Sequence, residues 1–339
     1  MEEVLSIQSP VVFDESVAHY EIHTHQPYTL SNFNNSDEIR IGIQHQDLCV
    51  LPSRSSLHIC GKLQKPDGTA IEGTRFVNNA IYHLFEEIRY ELNAIEIDRC
   101  KNVGLTSLMK GFVSFNPSQS SVIENAGWLD IAETQRLDDN GYFDVSIPLG
   151  MILGFAEDYR KIVVNAKHEL ILTRSNSDVN SIVQTQVVAA GANIYEDYQV
   201  EITKIEWLMP SDKHKIKLLN HLEKDRPVTM SFRSWLLYEY PLLPSTSKHV
   251  WIVKTAYQLE KPRFVILGFQ TNRKGRKTAN ASPLIIYALL YDMYANFQNA
   301  YYNKEVEPML KKVDYLSYAP LVVIDCSKQN KSLKQASVD

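Results

Sequence analysis

Residues 86–99, EEIRYELNAIEIDR, constrain the fold of this chain more than any other stretch. At a period of two, Ile88, Tyr90 and Leu92 alternate with Glu87, Arg89 and Glu91, giving one apolar side and one charged side. The alternation resumes in shifted phase at Ile95 and Ile97, and Asn93-Ala94 sits where the phase slips. A one-residue slip without a turn swaps the faces of a strand, so the slip reads as a β-bulge. A helical wheel offers a competing reading, since Ile88, Leu92 and Ile95 then share a face. As a strand, the segment is half wet and half buried, and an opposing apolar layer must cover Ile88, Tyr90 and Leu92.

The same alternation recurs along the chain. EIRIGIQ places Ile39, Ile41 and Ile43 on one side, and SLHICGKLQ does so with Leu57, Ile59, Gly61 and Leu63. KPDGT carries Pro, Asp and Gly in the order of a tight turn. Val103, Leu105, Leu108 and Met109 are spaced for a short helix, with Asn102 as its N-cap. GWLDIAE and YFDVSIPLG read as strands separated by the turn DDNG, and KIVVNA and HELILTR close a first unit near Arg174. The residues before 37 read as an extended arm, ending in turn and capping types.

With 339 residues, 44% apolar and 22% charged, the chain has the composition of a folded protein with room for two domains. A net charge of −5 excludes nonspecific wrapping of nucleic acid by the whole surface. Cys49, Cys60, Cys100 and Cys326 lack CxxC spacing and the density of a disulfide scaffold, which favours a reducing compartment. The start Met1-Glu2-Glu3 has no signal-like character, and PLIIYALLYDMYANF is interrupted by Asp292, so no membrane-spanning segment is expected.

The second half repeats the order of the first. QVEITKIEWLM opens it, with Val200, Ile202, Ile205 and Trp207 alternating around a slip. An amphipathic helix DKHKIKLLNHLEKD, a strand VTMSFRSWLLYEYP, a hairpin-like pair KHVWIVKTAYQLEKPRFVILGFQT, a helix YALLYDMYANFQNAYYN and a strand APLVVIDCS follow. No counterpart of KIVVNA and HELILTR appears before Asp339. The expected fold is all-β: an arm over 1–36 and two consecutive antiparallel sandwiches over 37–180 and 195–339, the second lacking its last strands, with short helices in the connections.

The stretches EIRIGIQHQDLCVLPSRSSLHICGKL, VNNAIYHLFEEIRYELNAIEIDR, SFRSWLLYEYPLLPSTSKHVWIVKTAYQLEKPRFVILGFQTNRK and APLVVIDCSKQN resemble the double jelly-roll major capsid proteins of small DNA viruses and of Polinton-like and adintovirus-like elements. The resemblance runs from about residue 36 to the C-terminus and rests on segment order, with no short diagnostic motif. It implies two eight-stranded jelly rolls, homotrimeric pseudo-hexameric capsomers tiling an icosahedral shell, and no catalysis. It further implies self-association, minor capsid proteins and a packaged genome as partners, and residence in the virion after assembly inside the host cell. A shortened passage from TANAS to YALLYDMY and the missing last strands imply a degenerate or truncated copy resident in a host genome.

Chemistry-bearing residues are sparse. His23 and His25 would share one face of a strand, but two ligands without a Cys or carboxylate cluster make a weak metal site, and no metal or cofactor is expected. His45, His58 and His83 read as polar contacts or outward residues of strands, and Cys60 as a reduced, buried thiol. No Ser-His-Asp order, nucleophile elbow or phosphate-cradling glycine loop is recognisable. The densest positive run, NRKGRK, offers Arg273, Lys274, Arg276 and Lys277 to nucleic acid or an acidic neighbour, or forms a solvated loop. Tyr287, Tyr291, Tyr294, Phe297, Tyr301 and Tyr302 recur at helical spacing and suit either a subunit interface or a core. The alternative to a capsid subunit is a host β-sandwich that recognises a glycan or protein, whether domesticated from a viral element or unrelated to one.

Overall fold

A computed structural model describes residues 21–28, 33–44, 49–128, 141–189, 191–212, 229–240, 248, 250–253, 262–269, 288–318 and 321–326. In chain order its strands are β1 (Glu21–His25), β2 (Glu38–Ile43), β3 (Cys49–Val50), β4 (Ser56–Gln64), β5 (Thr74–Phe76), β6 (Phe85–Leu92), β7 (Ile95–Lys101), β8 (Tyr142–Pro148), β9 (Val163–Val164), β10 (His168–Arg174), β11 (Ile182–Gln184), β12 (Val187–Ala189), β13 (Ala192–Ile194), β14 (Gln199–Asp212), β15 (Phe264–Gly268) and β16 (Leu321–Asp325). The helices are α1 (Val103–Ser114), α2 (Ser120–Glu124), α3 (Gly154–Asp158), α4 (Ala288–Ala295), α5 (Phe297–Tyr302) and α6 (Lys312–Tyr318).

The alternating segments pair into two antiparallel sheets. One has the order β8-β4-β14-β3-β9, with β1 on the other edge of β14, and the second has the order β2-β10-β6-β7. Their apolar faces form one core. Ile39, Ile41 and Ile43 are at most 2% exposed, and the Tyr90 ring of β6 meets the Trp207 indole of β14 edge-on at 6.2 Å. The all-β class expected from the alternation is the class found, and residues 86–92 and 95–99 are strand, with Ile88, Tyr90 and Leu92 buried.

The charged side of that stretch lies on the outer face of the four-stranded sheet. There Arg89 bridges Glu87 and Glu91 at 3.4 and 3.0 Å, Arg99 bridges Glu87 and Glu96, and Arg40 and Lys167 share Glu169. Opposite charges at neighbouring positions keep this face wet while the other stays dry.

The two phase slips have different causes. In β14 the pairing with β4 jumps from Ile202↔Gly61 to Lys204↔Cys60, so Thr203 is an unpaired bulge residue, and Val200 and Ile202 share the buried face with Ile205 and Trp207. A Cβ on Gly61 would come within 2.3 Å of the Glu201 carbonyl oxygen, so only glycine fits opposite the bulge. At Asn93-Ala94 the expected bulge is instead a two-residue turn: both residues have positive φ, 50° and 64°, and β6 and β7 pair across it as Leu92↔Ile95. Two consecutive left-handed residues reverse a strand pair with the twist of the strands, and asparagine is suited to the first. Asn93 is further held by its Oδ1, which accepts from the Lys167 amide at 2.8 Å.

Other expectations are corrected by pairing. Gln199–Asp212, expected to open the second unit, is the central strand of the first sheet, bonded to β4 and β3 on one edge and to β1 on the other. Residues 21–25 of the arm are therefore laddered in the same sheet. No strand occurs among the described residues of VTMSFRSWLLYEYP, and 250–253 do not pair with 264–268. Phe264–Gly268 instead pairs with Leu321–Asp325. The aromatic helix is broken at Asn296 into α4 and α5, and α2, α3 and α6 were not anticipated. The segment 213–225, expected to be helical, and residues 129–133 of GWLDIAE lie outside the described residues.

Candidate functional site

Between the sandwich and the C-terminal helices runs a seam built on two adjacent acids, Glu157 and Asp158, at the end of α3. Lys110, 4% exposed on α1, places its Nζ 2.8 Å from Glu157 Oε2 and 2.7 Å from the Gly150 carbonyl. The Tyr302 hydroxyl donates to Glu157 Oε1 at 2.7 Å. Asp158 accepts from the Arg233 backbone N–H and Nε, each at 2.8 Å, and from Nη2. The same guanidinium lies over the Tyr301 ring, 3.8 Å from its centroid, and donates to the Tyr301 carbonyl at 3.0 Å. Burial opposes ionisation of Asp158, but the hydrogen bonds and charge of Arg233 outweigh it and hold the carboxyl below its ordinary value.

The approach of the chain here depends on Gly154. A Cβ at that position would sit 1.7 Å from the Arg233 carbonyl oxygen, a backbone atom that cannot move aside. Behind the ion pairs a second apolar cluster joins Val113 of α1 to Tyr294, Phe297, Tyr315, Leu321 and Val323. Replacing Arg233 with alanine is expected to lower stability by about 1–3 kcal/mol, since Asp158 is left half-buried without its charged partner. Hydrogen exchange should accelerate over 297–302 while β6 and β10 stay protected; unchanged protection there would show that the seam does not depend on this pair.

Several aromatics expected at either a subunit interface or a core belong to this seam. Tyr294 is 1% exposed and donates to the Phe112 carbonyl at 2.8 Å, so it is not a surface residue, and the core reading replaces the interface reading for it. Tyr291, Tyr301 and Tyr302 are half-buried; Tyr291 donates to the Leu310 carbonyl, and Tyr302 reaches both Ser114 and Glu157. Burial, reinforced by Glu157, raises the Tyr302 phenol. Arg273, Lys274, Arg276 and Lys277, with Tyr287 and His45, lie outside the described residues.

On the outer face of the first sheet, β4 and β8 bring together His58, Cys60 and Asp144. His58 Nε2 is 2.7 Å from Asp144 Oδ1 and 3.4 Å from Cys60 Sγ, and His58 Nδ1 faces Glu206 Oε2 at 3.4 Å. Lys204 closes on the same Glu206 oxygen at 2.8 Å. Cys60, expected to be buried, is half-exposed on this outer face. Burial, then the nearby Asp144 charge, raises its thiol. His23 and His25 occur on β1, where His23 pairs with Glu21 at 3.4 Å, and His83 packs in the turn 80–84 against Gly104. Among the described residues, no helix is long and apolar enough to cross a membrane.

A third feature is exposed. Val250 and Ile252 are 79% and 81% accessible, Leu236, Tyr238, Tyr240, Trp251 and Val253 are also exposed, and the Trp251 and Tyr240 rings are 5.5 Å apart.

No curated protein sequence matched the chain. Among solved structures it is similar to the mavirus major capsid protein, at 10% identity and a TM-score of 0.39 over 78% of this chain and 52% of that one. It is similar to the Faustovirus major capsid protein, at 10% identity and a TM-score of 0.38 over 62% of this chain and 57% of that one. A third likeness is to PBCV-1 VP54 as fitted into a reconstruction of the virophage Sputnik, at 11% identity and a TM-score of 0.35 over 59% and 44%. The chain spans about half the length of these structures. The model of the double jelly roll-like domain family matches residues 74–284 and 283–339, and the chain belongs to that family.

Proposed function

We propose that this protein is a capsid subunit whose work is self-association, with no catalytic step. The observation that carries the reading is the exposed apolar run at 236–240 and 250–253, which a single chain leaves in water. Large apolar side chains left exposed in this number are characteristic of a face covered by another copy or another protein. The double jelly-roll architecture and the resemblance to capsid proteins of small DNA viruses and Polinton-like elements supply the partner: further copies of the same chain, as trimeric pseudo-hexameric capsomers in an icosahedral shell.

In this reading the first jelly roll extends through Asp212, because β14 completes its sheet, and the second begins after it. The residues before β1 act as an arm toward a neighbouring subunit. Arg273, Lys274, Arg276 and Lys277 face the packaged genome or an acidic patch of a neighbour, and minor capsid proteins occupy the remaining contacts. Assembly takes place inside the host cell, and the mature location is the virion.

Size-exclusion chromatography with light scattering and negative-stain electron microscopy test this on the full chain. Trimers or shells are expected, and Ile252→Asp should shift the population to monomers while leaving the circular-dichroism melt in place. A stable, strictly monomeric wild-type protein at micromolar concentration rules the reading out, and saturable binding of a glycan by that monomer would establish a recognition module instead.

A further inference from the structure

We infer that His58, Cys60 and Asp144 form a zinc site on the outer face of the first sheet, with Glu206 orienting the histidine. The three ligand atoms, Nε2, Sγ and a carboxylate oxygen, all lie within 4.8 Å of one another. They are set by the ladder: His58 and Cys60 are two residues apart on β4, and Asp144 stands opposite Cys60 on β8. Two paired strands place ligands more reproducibly than loops do, because the backbone bonds fix their spacing.

The geometry is close to what the metal requires. Bonds of about 2.0–2.3 Å from zinc to N, O and S in a tetrahedron separate the ligand atoms by roughly 3.3–3.7 Å. Sγ and Nε2 are already 3.4 Å apart. Nε2 and Oδ1, at 2.7 Å, must part by somewhat more than half an ångström, on the order of what the zinc bond lengths demand. Asp144, 72% exposed in its side chain, has room to do so. Three protein ligands leave the fourth position of a tetrahedral site to water or to a group from another molecule.

The surroundings supply the second requirement. A histidine that ligates through Nε2 is held in the correct tautomer when its Nδ1–H is donated to a carboxylate, and Glu206 Oε2 stands 3.4 Å from His58 Nδ1. With Cys60 as a thiolate, the cluster carries three negative charges from Cys60, Asp144 and Glu206 against the one positive charge of Lys204. A divalent cation then neutralises the set. Sulfur and imidazole nitrogen select zinc over magnesium or calcium, which take oxygen ligands. Binding releases the Cys60 proton, so affinity should rise with pH.

Cobalt(II) is the probe, because a cobalt–thiolate bond absorbs in the near ultraviolet. Titration of the full, metal-free chain should develop this band to saturation, and zinc should discharge it. Cys60→Ser should abolish the band, while Cys326→Ser, which removes the other half-exposed thiol, should leave it unchanged. Asp144→Asn should keep the band but weaken cobalt binding at least tenfold, and Glu206→Gln should weaken it by about 10- to 100-fold. A circular-dichroism melt shows that each variant folds, which separates lost ligation from lost structure. No band in the folded wild-type protein, a band that survives in Cys60→Ser, or one that disappears in Cys326→Ser would overturn the site.

Discussion

Arg174→Ala is expected to destabilise the protein by about 3–5 kcal/mol, the usual cost of removing one partner from a buried ion pair. Arg174 ends β10 with a side chain only 1% exposed, and its Nη2 faces both oxygens of Asp178, 8% exposed, at 3.0 and 3.3 Å. Nη1 donates to the Leu84 carbonyl at 2.7 Å, just before β6, and Nε to the Phe33 carbonyl at 3.3 Å, ahead of β2. One guanidinium thus satisfies acceptors from three chain segments where the four-stranded sheet closes. Removing it leaves the buried Asp178 carboxylate and Leu84 carbonyl, and the part-buried Phe33 carbonyl, without these donors. Urea unfolding should show a lower midpoint at unchanged slope. Arg174→Lys should not restore the loss, because an ammonium cannot fork across these acceptors. The double variant with Asp178→Ala should lose less than the sum of the two single losses. A loss below about 1 kcal/mol for Arg174→Ala would show that Asp178 finds another partner or water.

Acidification should weaken the fold through His168 by about 3 kcal/mol between neutral pH and pH 4. His168 starts β10, is 2% exposed, and its Nδ1 lies 2.6 Å from the Tyr90 hydroxyl in the core. Burial, with a smaller push from the charge of His25, lowers it from the ordinary 6.5 to about 4. The folded state therefore holds a neutral imidazole where the unfolded chain binds a proton. Its contribution is complete above pH 6.5 and disappears as the pH falls toward 4. Exposed carboxylates titrate mostly below pH 5, and burial raises Asp98 and Asp178, so His168→Gln is what separates the histidine from the acids between pH 6.5 and 5. Chemical denaturation across that window should show a steep loss in the wild-type protein and a shallow one in His168→Gln. Parallel curves would assign the acid sensitivity to other groups.

Much of the first sandwich was legible because its signals are local. EIRIGI alternates without interruption, and Ile39, Ile41 and Ile43 are buried as that pattern requires. KPDGT forms its turn, with Gly68 at φ 84° and its amide bonded to the Lys65 carbonyl. The two slips look alike in sequence, yet one is a bulge and the other a chain reversal, because the difference lies in backbone angles at Asn93 and Ala94 that periodicity does not encode. The assignment of β14 to a second unit failed for a related reason. Its alternation shows that it is a strand with one dry face, and is silent on which sheet that face closes.

The candidate sites were legible only in part. His58 and Cys60 stand two residues apart on the face of β4 opposite Leu57 and Ile59, but the apolar run around Cys60 read as burial, and Asp144 joins them only through the register of β4 with β8. Likewise, Glu157 and Asp158 stand side by side in sequence, while their partners Lys110, Arg233, Tyr301 and Tyr302 come from three other segments. The tyrosines showed helical spacing, which reveals an apolar face without saying whether that face meets a core or another subunit.

By itself, then, the sequence determined the β class, the buried faces of strands such as β2, β4 and β6, and the turn at KPDGT, since these depend on side-chain alternation and turn chemistry within a few residues. Tertiary structure alone decided which strand pairs with which and which distant side chains converge. Ladder bonds are made by backbone groups common to nearly all residues, so partner choice follows from how whole faces fit together and cannot be read from any one segment.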